Sequence, residues 1–150
     1  MQTEQLKAFL SGVSLYFDKL SSSAAEMGIP RIKDDDEDFL LDYNGVIGIS
    51  GNFQGAICLS VSTAFLAQLY LQLTRGKEPT PERLSDLIGE LANTVAGNAQ
   101  QAFESGFDIS IPMVIRGTEQ QAKLDFKAPT YITPFRWNEH SAHLVFGLKS

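Results

Sequence analysis

The sequence is poor in several residue types, and each shortage excludes a class of protein. Its 150 residues include one cysteine, two histidines and only 12 lysines and arginines against 18 aspartates and glutamates. A single cysteine provides no disulfide framework, and its neighbours in Ala56-Ile57-Cys58-Leu59 predict a small buried side chain. The formal net charge of −6 opposes binding to nucleic acid or to an anionic membrane surface.

Long apolar runs are also missing. No segment approaches the ~20 residues that a membrane-spanning helix requires. The first residues, Met1-Gln2-Thr3-Glu4-Gln5, lack the basic start and apolar core of a secretion signal. A hydrophobic content of 43% over 150 residues is typical of one soluble domain with a sizeable core. We therefore expect a cytoplasmic protein that neither crosses nor coats a membrane.

Common catalytic and metal motifs are absent as well. His140 and His143 are three residues apart in an extended segment, so their side chains point to different faces and a shared metal ion is not expected. Ser21-Ser22-Ser23 lies outside any Gly-x-Ser-x-Gly motif, which argues against a serine hydrolase. The acidic run at residues 34–38 lacks the spaced oxygen ligands of a calcium loop and predicts a solvated loop.

The periodicity of apolar residues predicts three helices. The first covers about residues 4–20, and the longest covers about residues 82–104, opened by Pro81 or Glu82. A shorter helix starts at a Ser62 or Thr63 cap and stops near Gly76.

Strand patterns occupy the rest of the chain. Two strands joined by a Gly-rich turn are expected between residues 39 and 61, because β-branched residues surround the turn. Further extended segments are expected at residues 109–116, 122–128, 131–137 and 142–148. This order predicts a single α+β domain over residues 1–150, with helices packed on a largely antiparallel β-sheet.

The long helix has two contrasting faces. One face is polar, because Asp86, Glu90, Asn93 and Gly97 fall on a single stripe. Gly97 leaves room there for another molecule's backbone, and a glycine inside a helix costs about 1 kcal/mol relative to alanine. We therefore expect Gly97, and also Gly89, to serve a close contact. The opposite stripe predicts burial of Leu84, Leu87, Ile88, Leu91, Val95, Ala99 and Ala102.

Asn98 falls near the apolar stripe of this helix rather than on its polar face. A buried amide requires hydrogen-bond partners. We therefore expect Asn98 to fix the helix against a loop.

The polar stripe also carries a family resemblance. Asp86-x3-Glu90-x2-Asn93, followed by Val95-Ala96-Gly97-Asn98-Ala99, resembles the phosphatase helix of the CheC/CheX/FliY family, which dephosphorylates the chemotaxis regulator CheY. Glu-x2-Asn occurs once here, as in the CheX branch, whereas the CheC and FliY branches carry it twice. The segments at residues 45–51 and 109–117 also resemble CheX, so the resemblance covers about residues 40–148. Pro112 follows Asn93 at a shorter interval than in the family's pattern, and we give it little weight.

The resemblance implies a function for each polar residue. Asn93 orients the water that attacks a phosphoaspartate, and Glu90 anchors to the active-site lysine of the receiver domain. Asp86 assists docking, and Gly97 belongs to the same partner-binding face. The chain is expected to bind no cofactor, since the receiver supplies Mg²⁺. The expected partners are a phosphorylated CheY-like response regulator and a second copy of the chain, in a homodimer.

Two other classes of function remain open. A non-catalytic adaptor could use the same acidic helix to dock on a receiver or on a flagellar-switch protein, although such a homologue is expected to lose Glu90 or Asn93. A ligand-binding or purely dimerising domain would leave the stripe of Asp86, Glu90 and Asn93 unexplained.

Overall fold

The computed structural model describes residues 3–20, 23–104, 106–117, 124, 126 and 128–149. Within this part of the chain there are three helices: α1 (Thr3–Leu20), α2 (Thr63–Thr74) and α3 (Pro81–Ala102). The strands are β1 (Glu26–Met27), β2 (Arg31–Ile32), β3 (Tyr43–Ser50), β4 (Gln54–Val61), β5 (Asp108–Ile109), β6 (Met113–Arg116), β7 (Thr130–Trp137) and β8 (His140–Lys149).

The strands form one sheet in which every pairing is antiparallel. The order is β1-β7-β8-β4-β3-β5, with β2 also on β7 and β6 also on β3. The long strands β7, β8, β4 and β3 therefore lie in the middle, and short strands lie at both ends. The prediction of an α+β fold with helices on a largely antiparallel sheet is confirmed.

The helices pack against one face of this sheet. The main core lies between the helices and the sheet and includes aromatic side chains from α1, α2 and β8, such as Phe9, Phe65 and Phe146. A smaller cluster on the opposite face contains Cys58, which is fully buried as predicted. Burial raises the pKa of the Cys58 thiol far above its ordinary range, so the side chain stays neutral.

Two glycines allow α3 to lie close to its neighbours. A Cβ on Gly12 of α1 would come within 2.7 Å of the Val95 carbonyl oxygen of α3. A Cβ on Gly45 of β3 would lie 2.7 Å from the Ala92 Cβ. Contacts this short are incompatible with any larger residue, so these glycines set the distance of α3 from both α1 and the sheet. The inner side of α3 is therefore closely packed against both α1 and β3.

Helix boundaries follow the capping residues. Ser62 caps α2 by accepting a hydrogen bond from the Phe65 N–H (3.1 Å), as predicted. Thr80 caps α3 in the same way with the Arg83 N–H (3.3 Å), and Pro81 occupies the first turn. The long helix therefore begins at Pro81 and ends at Ala102, slightly earlier at each end than predicted.

The strand predictions need two corrections. The segment predicted as one strand at residues 109–116 is divided into β5 and β6, and Pro112 between them has no N–H to donate to a ladder. The two-residue strands β1 and β2 were not predicted. The strand predicted at residues 122–128 lies mostly outside the described residues.

The acidic run lies in an exposed turn after β2, as predicted. Glu37, the fourth residue of the run, forms an ion pair with Arg31 of β2. The side-chain hydrogen bond from Arg31 is the main reason why the pKa of Glu37 is lowered to about 2.

Candidate functional site

The two faces of α3 are arranged largely as the periodicity predicts. The prediction for Ala102 is wrong: it is the last helical residue and lies exposed, beyond the end of the packed part of the helix. The other six residues of the predicted apolar stripe are buried: Leu84, Leu87, Ile88, Leu91, Val95 and Ala99.

The polar stripe faces outward. Asp86, Glu90 and Asn93 are exposed, and Gly97 is half-buried. The inner side of α3 is clamped by α1 and by the sheet, so these three side chains project from a firmly held helix. The structure thus brings together a carboxamide and two carboxylates over two helical turns.

The two glycines of α3 differ in what surrounds them. A Cβ on Gly97 would meet no heavy atom within 4 Å apart from the neighbouring helix backbone. A Cβ on Gly89 would lie 3.3 Å from Val114 Cγ2 and 3.7 Å from Pro112 Cγ. Gly89 therefore serves a close contact inside the chain, whereas the surface at Gly97 is open to another molecule.

The close approach at Gly89 creates a groove beside the polar stripe. It has a volume of about 480 Å³, and its two walls differ in chemistry. Ser85, Asp86, Glu90 and Asn93 line it from α3, with Gly89 at the same helix surface. Ile111, Pro112 and Val114 line the other wall.

Most of the apolar wall was not predicted from the sequence. Ile111 and Val114 were read as ordinary strand residues, and Pro112 was given little weight because of its spacing. The sequence carried two signals here: the resemblance of residues 109–117 to CheX, and Pro112, which cannot donate to a strand ladder. No local pattern shows that this segment meets α3.

A second groove lies on the other side of the same carboxylates. It has a volume of about 280 Å³, and Asp86 and Glu90 line it as well. Tyr70 and Leu73 of α2 and Arg83 of α3 are among its other lining residues. Asp86 and Glu90 therefore stand between two depressions. Together with Asn93, which lines the first groove, they form an exposed ridge on α3, a shape that fits into a concave partner site.

Charged and hydroxyl groups surround the ridge. Burial raises the pKa of Tyr16 on α1, and the charge of the Glu90 carboxylate adds to the increase, because both oppose the phenolate anion. Arg116 Nε donates a hydrogen bond to Ser85 Oγ (2.7 Å), and Ser85 lines the first groove.

Asn98 is structural, but its predicted partner is wrong. Its Nδ2 donates to the Gly12 carbonyl oxygen of α1 (3.1 Å), so the amide joins two helices rather than a helix and a loop. Helical periodicity gives the direction of a side chain but not the identity of the element it meets.

The two histidines have separate environments. His140 Nε2 lies 2.6 Å from Gln68 Oε1, and His143 Nδ1 lies 2.8 Å from the Phe39 carbonyl oxygen. Among the described residues there is no group of three or more histidine, cysteine, aspartate or glutamate side chains suited to a metal ion. In that same part of the chain, no helix is both long and apolar enough to cross a membrane.

The chain matches a known family and known structures. Residues 43–136, more than half of the chain, match the family described as "Chemotaxis phosphatase CheX". CheX from Vibrio vulnificus is 22% identical with a TM-score of 0.84 over 98% of this chain and 100% of that one. CheX from Desulfovibrio desulfuricans is 21% identical with a TM-score of 0.85, over 97% and 99%.

One similar structure contains a partner. It is the CheX-CheY-BeF3-Mg complex from Borrelia burgdorferi, 17% identical with a TM-score of 0.78 over 99% of this chain and 100% of that one. At these identities the structural likeness establishes a shared fold. No curated protein sequence matches the chain significantly.

Proposed function

Because this chain belongs to the CheX family of chemotaxis phosphatases, we propose that it hydrolyses the phosphoaspartate of a CheY-like response-regulator receiver domain. The observation that carries the proposal is the exposed ridge of α3, where Asp86, Glu90 and Asn93 stand in the order of the family's phosphatase helix. The relative from Borrelia burgdorferi forms a complex with CheY, which supports a partner of this kind.

The chemistry requires little of the phosphatase itself. A phosphoaspartate is an activated acyl phosphate, and transfer to water forms a bond from the water oxygen to phosphorus while the bond to the aspartate oxygen breaks. The products are the free carboxylate and inorganic phosphate, which carries both protons of the attacking water. The contribution that remains is to hold that water in line with the breaking bond.

Asn93 has the group suited to this task. A carboxamide accepts one hydrogen bond and donates another, so it fixes the orientation of a water without titrating near neutral pH. Its position on an exposed ridge lets it enter a pocket on the receiver. We assign to Asn93 the role of orienting the attacking water.

Glu90 has the charge suited to anchoring. One helical turn before Asn93, its carboxylate reaches the same partner pocket, where the receiver's active-site lysine is the matching cation. A charge-assisted hydrogen bond of this kind sets how deeply the helix is inserted. Asp86, one turn further, lies at the rim and favours docking electrostatically.

We place the Mg²⁺ ion on the receiver rather than on this chain. Mg²⁺ and BeF3, which stands in for a phosphoryl group, are both present in the Borrelia burgdorferi complex with CheY. The ion neutralises charge on the phosphoryl group during transfer.

We also propose that the protein acts in the cytoplasm as a homodimer, since short strands at both ends of the sheet leave edges for pairing.

The proposal is tested by the decay of phosphorylated receivers from the same source, measured at saturating phosphatase with Mg²⁺ present. Faster phosphate release than from the receiver alone supports it, and abolition of this acceleration by Asn93→Ala ties it to the ridge. An adaptor without activity leaves the decay of every receiver unchanged even where it binds.

A further inference from the structure

The apolar wall of the groove is unusually exposed. Ile111 is 88% exposed, more than any other large hydrophobic residue described in the structure, and Val114 is 38% exposed. Both line the same groove as Glu90 and Asn93. Exposed apolar side chains grouped beside convergent polar groups are typical of a surface that another molecule covers.

The wall is held in place rather than loosely attached. Ser110 Oγ accepts from the Gly48 N–H (2.8 Å), and the Ser110 N–H donates to the Gly48 carbonyl oxygen (2.9 Å). At the other end, Val114 pairs with Gly45 in the sheet and contacts α3 at Gly89. A wall anchored on both sides loses little conformational entropy when a partner packs on it.

We propose that Ile111 and Val114 form an apolar docking wall that packs against the activated receiver beside its phosphoaspartate. This inference rests on the proposed function and adds a second half to the binding surface. The occupant follows from the geometry: one groove holds both the wall and the ridge. A receiver that brings its acyl phosphate to Asn93 therefore covers Ile111 at the same time.

The charge distribution argues against a second copy of the chain as the occupant. A two-fold pairing through the groove brings Asp86 and Glu90 of both copies to one interface. Like charges in such an interface repel each other, and the chain already carries a net charge of −6. A receiver instead offers its active-site lysine, a cation that matches the carboxylates of Asp86 and Glu90.

Met113 provides a matched control. It lies on the same strand as Val114 and is 51% exposed, but it does not line the groove. Successive side chains of a strand point to opposite faces, so Met113 shares a face with Ile115, which belongs to the core cluster on the side away from the helices. Its replacement removes similar exposed apolar surface from outside the docking wall.

The test measures binding and catalysis separately. Calorimetry with receiver activated by Mg²⁺ and beryllium fluoride gives the Kd, and single-turnover decay of phosphorylated receiver gives the maximal rate. Ile111→Ser should raise the Kd about tenfold or more and change the maximal rate less than twofold, because the variant loses buried apolar area and no reacting group. Ile111→Leu should restore most of the affinity, and Met113→Ser should leave it unchanged.

Each failure has its own signature. Wild-type protein that binds no receiver overturns both this inference and the proposed function. Wild-type binding that Ile111→Ser leaves intact, or that Met113→Ser weakens equally, overturns the docking wall alone. A change from dimer to monomer in Ile111→Ser, seen by light scattering, assigns the wall to a second copy and also overturns the inference.

Discussion

The carboxamide of Asn93 is an exposed group on a clamped helix, so replacing it leaves the core intact. Asn93→Ala should lower the maximal rate of receiver dephosphorylation about tenfold to a thousandfold, or about 1.4 to 4 kcal/mol of barrier. Asn93→Asp should also fail, since a carboxylate repels the phosphoryl oxygens and lacks the amide donor. Single-turnover decay at saturating phosphatase measures this, and circular dichroism checks folding. Unchanged decay with Asn93→Ala contradicts the assigned role.

Glu90 should affect binding rather than chemistry. Glu90→Ala should weaken the complex with an activated receiver by on the order of 2 kcal/mol or more, because a desolvated charge pair loses one partner. Asn93→Ala should leave the affinity nearly unchanged. Glu82→Ala is a suitable control, because Glu82 is an exposed carboxylate in the first turn of α3 outside both grooves. Equal losses at Glu90 and Asn93 in calorimetry would show that the two roles are wrongly divided.

At the scale of single residues, the sequence was sufficient to predict the exposed ridge but insufficient to predict the apolar docking wall. The exposure of Asp86, Glu90 and Asn93 follows from the 100° rotation per residue, which is a local property of one helix. The position of Ile111 depends on a contact between segments more than twenty residues apart, across Gly89 and Val114. No local pattern encodes such a contact.

The elements were predictable where they are long and periodic. The three helices, β3 with β4, and β7 with β8 were all expected near their observed positions. Strands β1 and β2 have two residues each, too few for any periodicity, and they exist because β7 offers an edge to pair with. The strands that were not predicted from the sequence, β1 and β2, therefore depend on long-range pairing with β7.

The effects of alanine at Gly97 and at Gly12 on stability should be opposite, because only Gly12 is needed for packing. Gly97→Ala should raise the free energy of unfolding by about 0.5 to 1 kcal/mol, because the site is open and alanine favours the helix. Gly12→Ala should lower it by about 1 to 3 kcal/mol, because its Cβ would lie 2.7 Å from the Val95 carbonyl oxygen. Urea unfolding of both variants measures the difference.

The Gly97→Ala variant also tests the partner-binding role of Gly97. If the receiver's backbone approaches α3 there, Gly97→Ala should weaken receiver binding while the protein itself becomes more stable. Retained affinity in this stabilised variant would remove Gly97 from the binding surface, leaving the proposal for Glu90 and Asn93 intact.

In the described part of the molecule, the most exposed large apolar residues lie at the two ends of the sheet, whereas Leu15, Leu71 and Leu73 on the helices are 40% to 43% exposed. Ile111 and Val114 lie at the end with β5 and β6, whereas Ile29 (85% exposed) and Ile32 (63% exposed) lie at the end with β1 and β2. A receiver docked on the groove occupies the first end. A homodimer that binds two receivers must therefore pair elsewhere, and the end with Ile29 and Ile32 offers both apolar surface and a sheet edge.

The oligomeric state tests this arrangement. Light scattering of the wild-type protein should give about twice the 16.5 kDa chain mass. Replacing Ile29 and Ile32 together by aspartate should give the single-chain mass, because two buried charges oppose an apolar interface. The dephosphorylation rate per chain should persist, since the ridge and the docking wall lie at the other end of the sheet. A monomeric wild type would refute the homodimer, and a double variant that stays dimeric would place the interface on another surface.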